Sequence, residues 1–127
     1  DKSARFVIRH DKVAAVSWAG LSDSPYHHNA QTYLTGGACL VFTLILTWGF
    51  EAGQTLVENC HLFSHLANIW DARSLIIHPA STTQRQLTAD QRMAAGVGDA
   101  VVRLSVGIEH SSDLIADLAA ALDRCPA

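Results

Sequence analysis

Amphipathic helical segments that alternate with four short β-branched runs predict a single domain of α+β or α/β class. Its size agrees. A chain of 127 residues, 49% apolar and 17% charged, is enough for one packed core, and a chain of this length buries roughly two-thirds of its unfolded surface. The connections between the runs allow an antiparallel or a mixed sheet with helices on one face, and no repeat, linker or low-complexity tract divides the chain.

Residues 3–9 open the chain as a helix, with Ala4, Val7 and Ile8 at helical spacing. Lys12 to Trp18 follows as a β-branched strand closed by Gly20. Ser22-Asp23-Ser24-Pro25 is a turn with proline just inside a helix start, so Tyr26 to Leu34 reads as a short helix ended by Gly36-Gly37. Cys39 to Leu46 is apolar enough for a fully buried strand, and Phe50 to Ser64 for a helix with Leu56, Cys60 and Phe63 on one side. Leu75-Ile76-Ile77 is a third strand that stops at His78-Pro79, because proline cannot donate to a ladder. Ser81 to Gln86 is a polar loop. Thr88-Ala89-Asp90-Gln91 has the form of a capping box and starts a helix that runs towards Gly96. Val101 to Val106 is the fourth strand, and Ser111-Ser112-Asp113 caps a final helix whose inner stripe is Leu114, Ile115, Leu118, Ala121 and Leu122.

Nine Lys and Arg against twelve Asp and Glu leave a formal charge of −3, with no basic stripe to follow a phosphate backbone, which argues against a nucleic-acid partner. The longest apolar stretch, Ala38 to Leu46, is far too short to span a bilayer, and Asp1 to Arg5 has no signal-peptide pattern. No membrane partner is expected, and a soluble, cytoplasmic chain is. Cys39, Cys60 and Cys125 are odd in number, widely spaced and outside any C-x-x-C pair, so they read as reduced thiols rather than a disulfide framework or a zinc site. The chain begins without an initiator methionine in what already reads as a helix, and is expected to be a piece of a longer polypeptide.

Arg103 is the residue that strand formation does not explain. It stands among Val101, Val102, Leu104 and Val106, and a guanidinium cannot lose its proton to escape a low-dielectric site. Either it lies at an exposed edge, snorkelling to solvent or paired with Glu109 or an Asp, or its planar fork receives an anion such as an amino-acid α-carboxylate. Of the histidines, His61 and His65 stand four apart at helical spacing and could share a metal, but no third ligand is marked. His78 and His110 read as residues that hold backbone groups.

Three segments recur together: Leu62-Phe63-Ser64-His65-Leu66-Ala67-Asn68-Ile69, then Asp71 through Thr83, then Arg103-Leu104-Ser105-Val106-Gly107-Ile108-Glu109-His110. In order and spacing they resemble the C-terminal domain of the pyridoxal-phosphate enzymes of cysteine and methionine metabolism. Phe63-Ser64-His65, Asn68-Ile69 and Ile108-Glu109-His110 are most similar to the O-acetylhomoserine sulfhydrylases of that family, which make homocysteine for methionine biosynthesis from O-acetylhomoserine and sulfide. Weaker similarity continues upstream, so the resemblance covers practically the whole chain.

The resemblance implies an α+β sandwich: a small, mainly antiparallel four-stranded sheet with helices on one face, forming the C-terminal domain of a fold-type-I pyridoxal-phosphate enzyme across residues 1–127. It also implies that Arg103 binds the substrate α-carboxylate, that Asn68 lies beside it, and that the loop with Thr82 and Thr83 borders the active-site mouth. Without the resemblance, Asn68 would be an ordinary turn former and the threonines local backbone binders. The implied reaction is γ-replacement of acetate by sulfide in a homotetrameric transferase.

A pyridoxal-phosphate enzyme needs a lysine for the cofactor and a phosphate-binding turn. Here only Lys2 and Lys12 exist, neither in a serine- or threonine-flanked context resembling the family's cofactor lysine. The expectation is therefore an N-terminal cofactor domain missing from this chain, with no catalytic, cofactor-binding or metal-ligating residue within it and no activity by itself. The family usually has glycine where this chain has Trp48 and Trp70, histidine at Gln84 and a small residue at Cys39. An indole at 70 is expected to crowd the pocket or force the turn open if that turn is left-handed. A cystathionine-forming enzyme or lyase, or a non-catalytic remnant serving as an interaction domain, are the alternatives.

Overall fold

The computed structural model describes residues 2–126. Its elements are α1 (Lys2–Val7), β1 (Val13–Ser17), α2 (His27–Tyr33), β2 (Val41–Leu46), α3 (Gly49–Asn59), β3 (Ser64–His65), β4 (Leu75–Ile77), a 3-10 turn (Pro79–Ser81), α4 (Ala89–Ala94), β5 (Val101–Ser105) and α5 (Ser111–Asp123). The strands form one sheet in the order β1-β2-β5-β4-β3. The pairs β1–β2, β2–β5 and β4–β5 are antiparallel, while β3–β4 is parallel.

Alternation along the strands separates the two faces. Phe42, Leu44 and Leu46 of β2, Val102 and Leu104 of β5 and Ile76 of β4 point to one side, where they meet Ala4 and Val7 of α1, Ala52, Leu56 and Val57 of α3, and Leu114, Leu118, Ala121 and Leu122 of α5. Val13 and Val16 both reach this core although they stand three apart, because a bulge between Val13 and Ala15 shifts the register against β2. The other face carries Thr43 and Ile45, Arg103 and Ser105, and Leu75 and Ile77.

Two charged side chains fix α5 to the rest. The Lys12 ammonium donates to the carbonyls of Leu122, Asp123 and Cys125 at 3.0, 3.0 and 2.8 Å, which satisfies the carbonyls left open at the helix C-terminus. The Asp117 carboxylate accepts the amides of His61, Leu62 and Phe63 at 2.8, 2.9 and 3.2 Å.

That second contact corrects the expected helix Phe50 to Ser64. The helix stops at Asn59 with Cys60 extended at φ −76°, ψ 131°, because amides that would have continued the helix are taken by Asp117. The chain then runs on as β3, a fifth strand that makes the sheet mixed where four strands were expected. His61 and His65 consequently do not share a helix, so their four-residue spacing does not put them on one helix face. The capping box forms as expected, with Thr88 accepting from Gln91 N and Gln91 accepting from Thr88 N. The last helix is capped by His110 rather than by the serines: its Nδ1 accepts from Ser112 N. Burial, then the Asp117 and Cys125 charges, push the Cys60 thiol up to about 12, so it stays protonated.

Replacing Asp117 with alanine leaves three amides without their acceptor, and is expected to destabilise the domain by about 2 kcal/mol. Denaturant unfolding of the variant against the parent measures it.

Candidate functional site

β5 is the central strand, with β2 on one side and β4 on the other. The edge-strand explanation of Arg103 therefore does not hold. Its side chain lies on the face turned away from the helices, flanked across the ladder by Thr43 and Ile77. It is half-buried. Its Nη2 donates to the Asn68 carbonyl at 3.4 Å, and among the described residues no carboxylate lies within ion-pair distance of it. Glu109, the candidate partner, is engaged elsewhere.

The turn that carries Asn68 is held by the residues that follow Arg103 on β5 and its exit. Ser105 Oγ accepts the amide of Trp70 at 3.0 Å. The Ala72 carbonyl accepts from Ile108 N at 2.9 Å. Glu109 accepts both the amide and the hydroxyl of Ser74, each at 2.7 Å, while Ser74 Oγ in turn accepts from Gly107 N at 2.8 Å. Gly107 has no room for a side chain, since a Cβ there would lie 2.2 Å from the Ala72 carbonyl oxygen. Ser74 is fully buried, so its paired hydroxyl avoids the cost of an unsatisfied polar group.

Desolvation opposes the Glu109 charge, but the two Ser74 hydrogen bonds and the neighbouring Arg73 guanidinium outweigh it and hold the carboxyl below its ordinary value of 4.5. Among the described residues Trp70 is the one non-glycine residue with positive φ, at 60°. The turn is thus left-handed at residue 70, as the indole was feared to obstruct, yet it is not forced open: the Asn68–Arg103 contact and the Trp70–Ser105 bond both stand. Trp48 is unstrained at φ −110°, because Gly49 takes the positive angle of 68°.

Asn68 is exposed, and its Oδ1 accepts from Ile69 N at 2.9 Å while its carbonyl faces Arg103. Thr82 and Thr83 are exposed. The Thr82 hydroxyl is spent on the His78 carbonyl at 2.8 Å, and among the described residues neither threonine bonds to Arg103 or Asn68. The structure thus brings together Arg103 and Asn68 and leaves the threonine loop as a neighbouring, self-bonded segment. The buried Gln84 Oε1 has no partner among the described residues.

His78 supports this region from behind. Its Nε2 lies 2.7 Å from the Asp99 carbonyl and so carries the proton, leaving Nδ1 to accept from Ser81 Oγ at 3.0 Å. Burial lowers its pKa, in keeping with a neutral, structural ring. Gly53 makes room for it, since a Cβ there would stand 2.5 Å from Nε2.

The residues missed from sequence are Ser74, Ser105 and Gly107 as supports of the turn. Only Ser105 carried a local signal: it stands two residues after Arg103 on β5, which puts both on one side of the strand.

Because the Glu109 pKa is lower folded than unfolded, its stabilisation is complete above 4.5 and is lost as pH falls from there through the folded value. Glu109→Gln should flatten that part of the stability profile relative to the parent in unfolding experiments across the acid range.

Residues 1–123 match the family described as Cys/Met metabolism PLP-dependent enzyme. The O-acetyl-L-homoserine sulfhydrylase 1 of Thermus thermophilus is 44% identical over 119 residues, covering 94% of this chain and 28% of that protein. The L-methionine gamma-lyase of Fusobacterium nucleatum subsp. polymorphum is 41% identical over 124 residues, covering 97% of this chain and 31% of that protein. A Campylobacter jejuni structure, described as an O-acetylhomoserine (thiol)-lyase and holding a pyridoxyl-lysine monophosphate, superposes with a TM-score of 0.86 at 36% identity, over 96% of this chain and 29% of that one. The chain thus spans under a third of the length of these relatives. The Arg103 strand, the Asn68 turn and the Ser74–Glu109 clamp all fall inside the matched residues, and the chain belongs to the pyridoxal-phosphate-dependent enzymes of cysteine and methionine metabolism.

Proposed function

We propose that this chain is the substrate-binding C-terminal domain of a transferase of the O-acetylhomoserine sulfhydrylase type, which replaces the γ-acetate of O-acetylhomoserine by sulfide to give homocysteine. The observation that carries the reading is Arg103: a permanently charged, half-buried fork on the central strand, without a carboxylate partner among the described residues and on the sheet face opposite the core of α1, α3 and α5. A bidentate α-carboxylate supplies the missing anion. The Asn68 turn, fixed by Ser74 and Glu109, borders the place where that carboxylate sits. The names of the sulfhydrylase relatives support the choice of substrates. The same reading makes the whole protein a cytoplasmic homotetramer.

The lysines present do not fit the cofactor. The Lys12 ammonium is committed to three carbonyls at the end of α5, and Lys2 lies exposed on α1, an element packed against α5 rather than on the Arg103 face. The cofactor lysine is therefore assigned to sequence outside these residues, and the chain alone is expected to be inactive. Within the domain, the chemistry is recognition: Arg103 and the Asn68 turn hold and orient the amino acid.

Arg103→Ala in the full-length enzyme should weaken amino-acid binding by about 2 kcal/mol or more, read as a raised KM for O-acetylhomoserine, and Arg103→Lys should recover little of it because the fork is lost. An unchanged KM in the alanine variant overturns the assignment. Similarity to a methionine gamma-lyase favours a second reading, elimination from methionine. Supplying each substrate separately distinguishes the two by whether homocysteine or methanethiol is released. Incubating the 127-residue chain with pyridoxal phosphate and borohydride should leave Lys2 and Lys12 without stoichiometric labelling; a full equivalent on either sinks the missing-lysine argument.

A further inference from the structure

Although the chain as a whole carries a formal charge of −3, Lys2, Arg5 and Arg9 cluster near its start. Lys2 and Arg5 lie on α1, and Arg9 on the turn that ends it, where its amide donates to the Phe6 carbonyl at 3.1 Å. At steps of three and four residues along a helical path their side chains emerge on one side, in a row roughly 10 Å long. All three are exposed, and among the described residues no carboxylate lies within ion-pair distance of Lys2 or Arg9. Beside the row runs a groove of about 470 Å³ between α1 and α5, with Phe6 and Ile115 as its apolar floor. Both are half-buried. Phe6 packs against the core and meets the His10 ring edge-on, with 6.4 Å between ring centroids. At that end His10 stands 3.1 Å from Asp11 and 3.9 Å from Asp123, so carboxylates bound the cationic stretch there.

An apolar floor with cations along one rim is complementary to a ligand that is apolar on one side and acidic beside it. The cations stand in a row and do not converge as they would around a small anion. The apolar side chains are sunk between two helices and do not protrude as a membrane-inserting face does. An α-helix repeats its side chains at the same three- and four-residue steps as the Lys2–Arg5–Arg9 row. Carboxylates along its flank can therefore meet the row while its apolar stripe rests on Phe6 and Ile115. We propose that the groove between α1 and α5 docks an acidic amphipathic helix of a partner protein. The groove belongs to the helical layer, and the sheet separates it from Arg103, so an occupant leaves the substrate face open. The contact recruits a partner to the enzyme without touching its chemistry.

The test is fluorescence anisotropy of labelled peptides, about sixteen residues long so that they hold a helix, titrated with the full-length holoenzyme. One peptide is an amphipathic helix of Leu and Ala with Glu flanking its apolar stripe; the other has Lys in place of each Glu. The parent should bind the Glu peptide, more weakly as salt is added, and prefer it to the Lys peptide. A variant combining Lys2→Glu, Arg5→Glu and Arg9→Glu should bind the Glu peptide at least about tenfold more weakly and gain affinity for the Lys peptide. Damage to the fold would not produce that exchange. Ile115→Ser should weaken the Glu peptide by at least about threefold, because the floor loses apolar area. Equal binding of the Glu peptide by the parent and the charge-reversed variant, no loss in Ile115→Ser, or a parent that binds phosphatidylglycerol vesicles and not the Glu peptide overturns the docking assignment. None of these outcomes bears on the reaction proposed above.

Discussion

The Glu109 carboxylate on Ser74 is the contact on which the site geometry depends. Residues 66–74 contain no helix and, before Leu75, no strand of length beyond Ser64–His65, so the position of Asn68 cannot come from local hydrogen bonding alone. It comes from β5 and its exit: Ser105 takes the Trp70 amide, Ile108 donates to Ala72, and Glu109 takes two bonds from Ser74. Bonds to a charged acceptor are worth about 1.5–3 kcal/mol each, which is enough to hold a tryptophan at a backbone angle that costs about 1–3 kcal/mol. Gly107 lets the two segments approach this closely. Arg103 begins the same segment, so the arginine and the turn it faces are positioned by one piece of chain.

The sheet resolves what would otherwise be a contradiction in β5. A central strand with an arginine is costly if both faces are packed. Here the helices α1, α3 and α5 cover only the side of Val102 and Leu104, and Arg103 takes the side that no helix of that core covers. Its neighbours there, Thr43 and Ile77, leave it half-buried and close to one carbonyl. The result is a charge held in place by packing and available to an anion.

Lys12 and Asp117 show how the remaining charges are used. One closes the C-terminal end of α5, the other draws the 61–63 segment against its middle. Both act on backbone groups across long sequence separations, and both shape the site indirectly. Asp117 ends α3 and starts β3, the strand that leads into the Asn68 turn, and Lys12 withholds the one lysine that sits near the core.

The sequence by itself determined the class of the fold, the alternation of its elements and the capping box at Thr88, because hydrophobic period and cap chemistry are local. It also singled out Arg103, since a guanidinium among valines and leucines is visible without coordinates, and the recurring segments carried the family. Tertiary structure alone decided that β5 is central and not an edge, that α3 ends at Asn59, that Glu109 serves Ser74 rather than Arg103, and that His110 caps α5. Each of these turns on which partner, tens of residues away or across a turn, wins a hydrogen-bonding group that could have gone to several. The left-handed angle at Trp70 belongs to the same class: intrinsic preference opposes it, and only the bonds from the neighbouring strand select it.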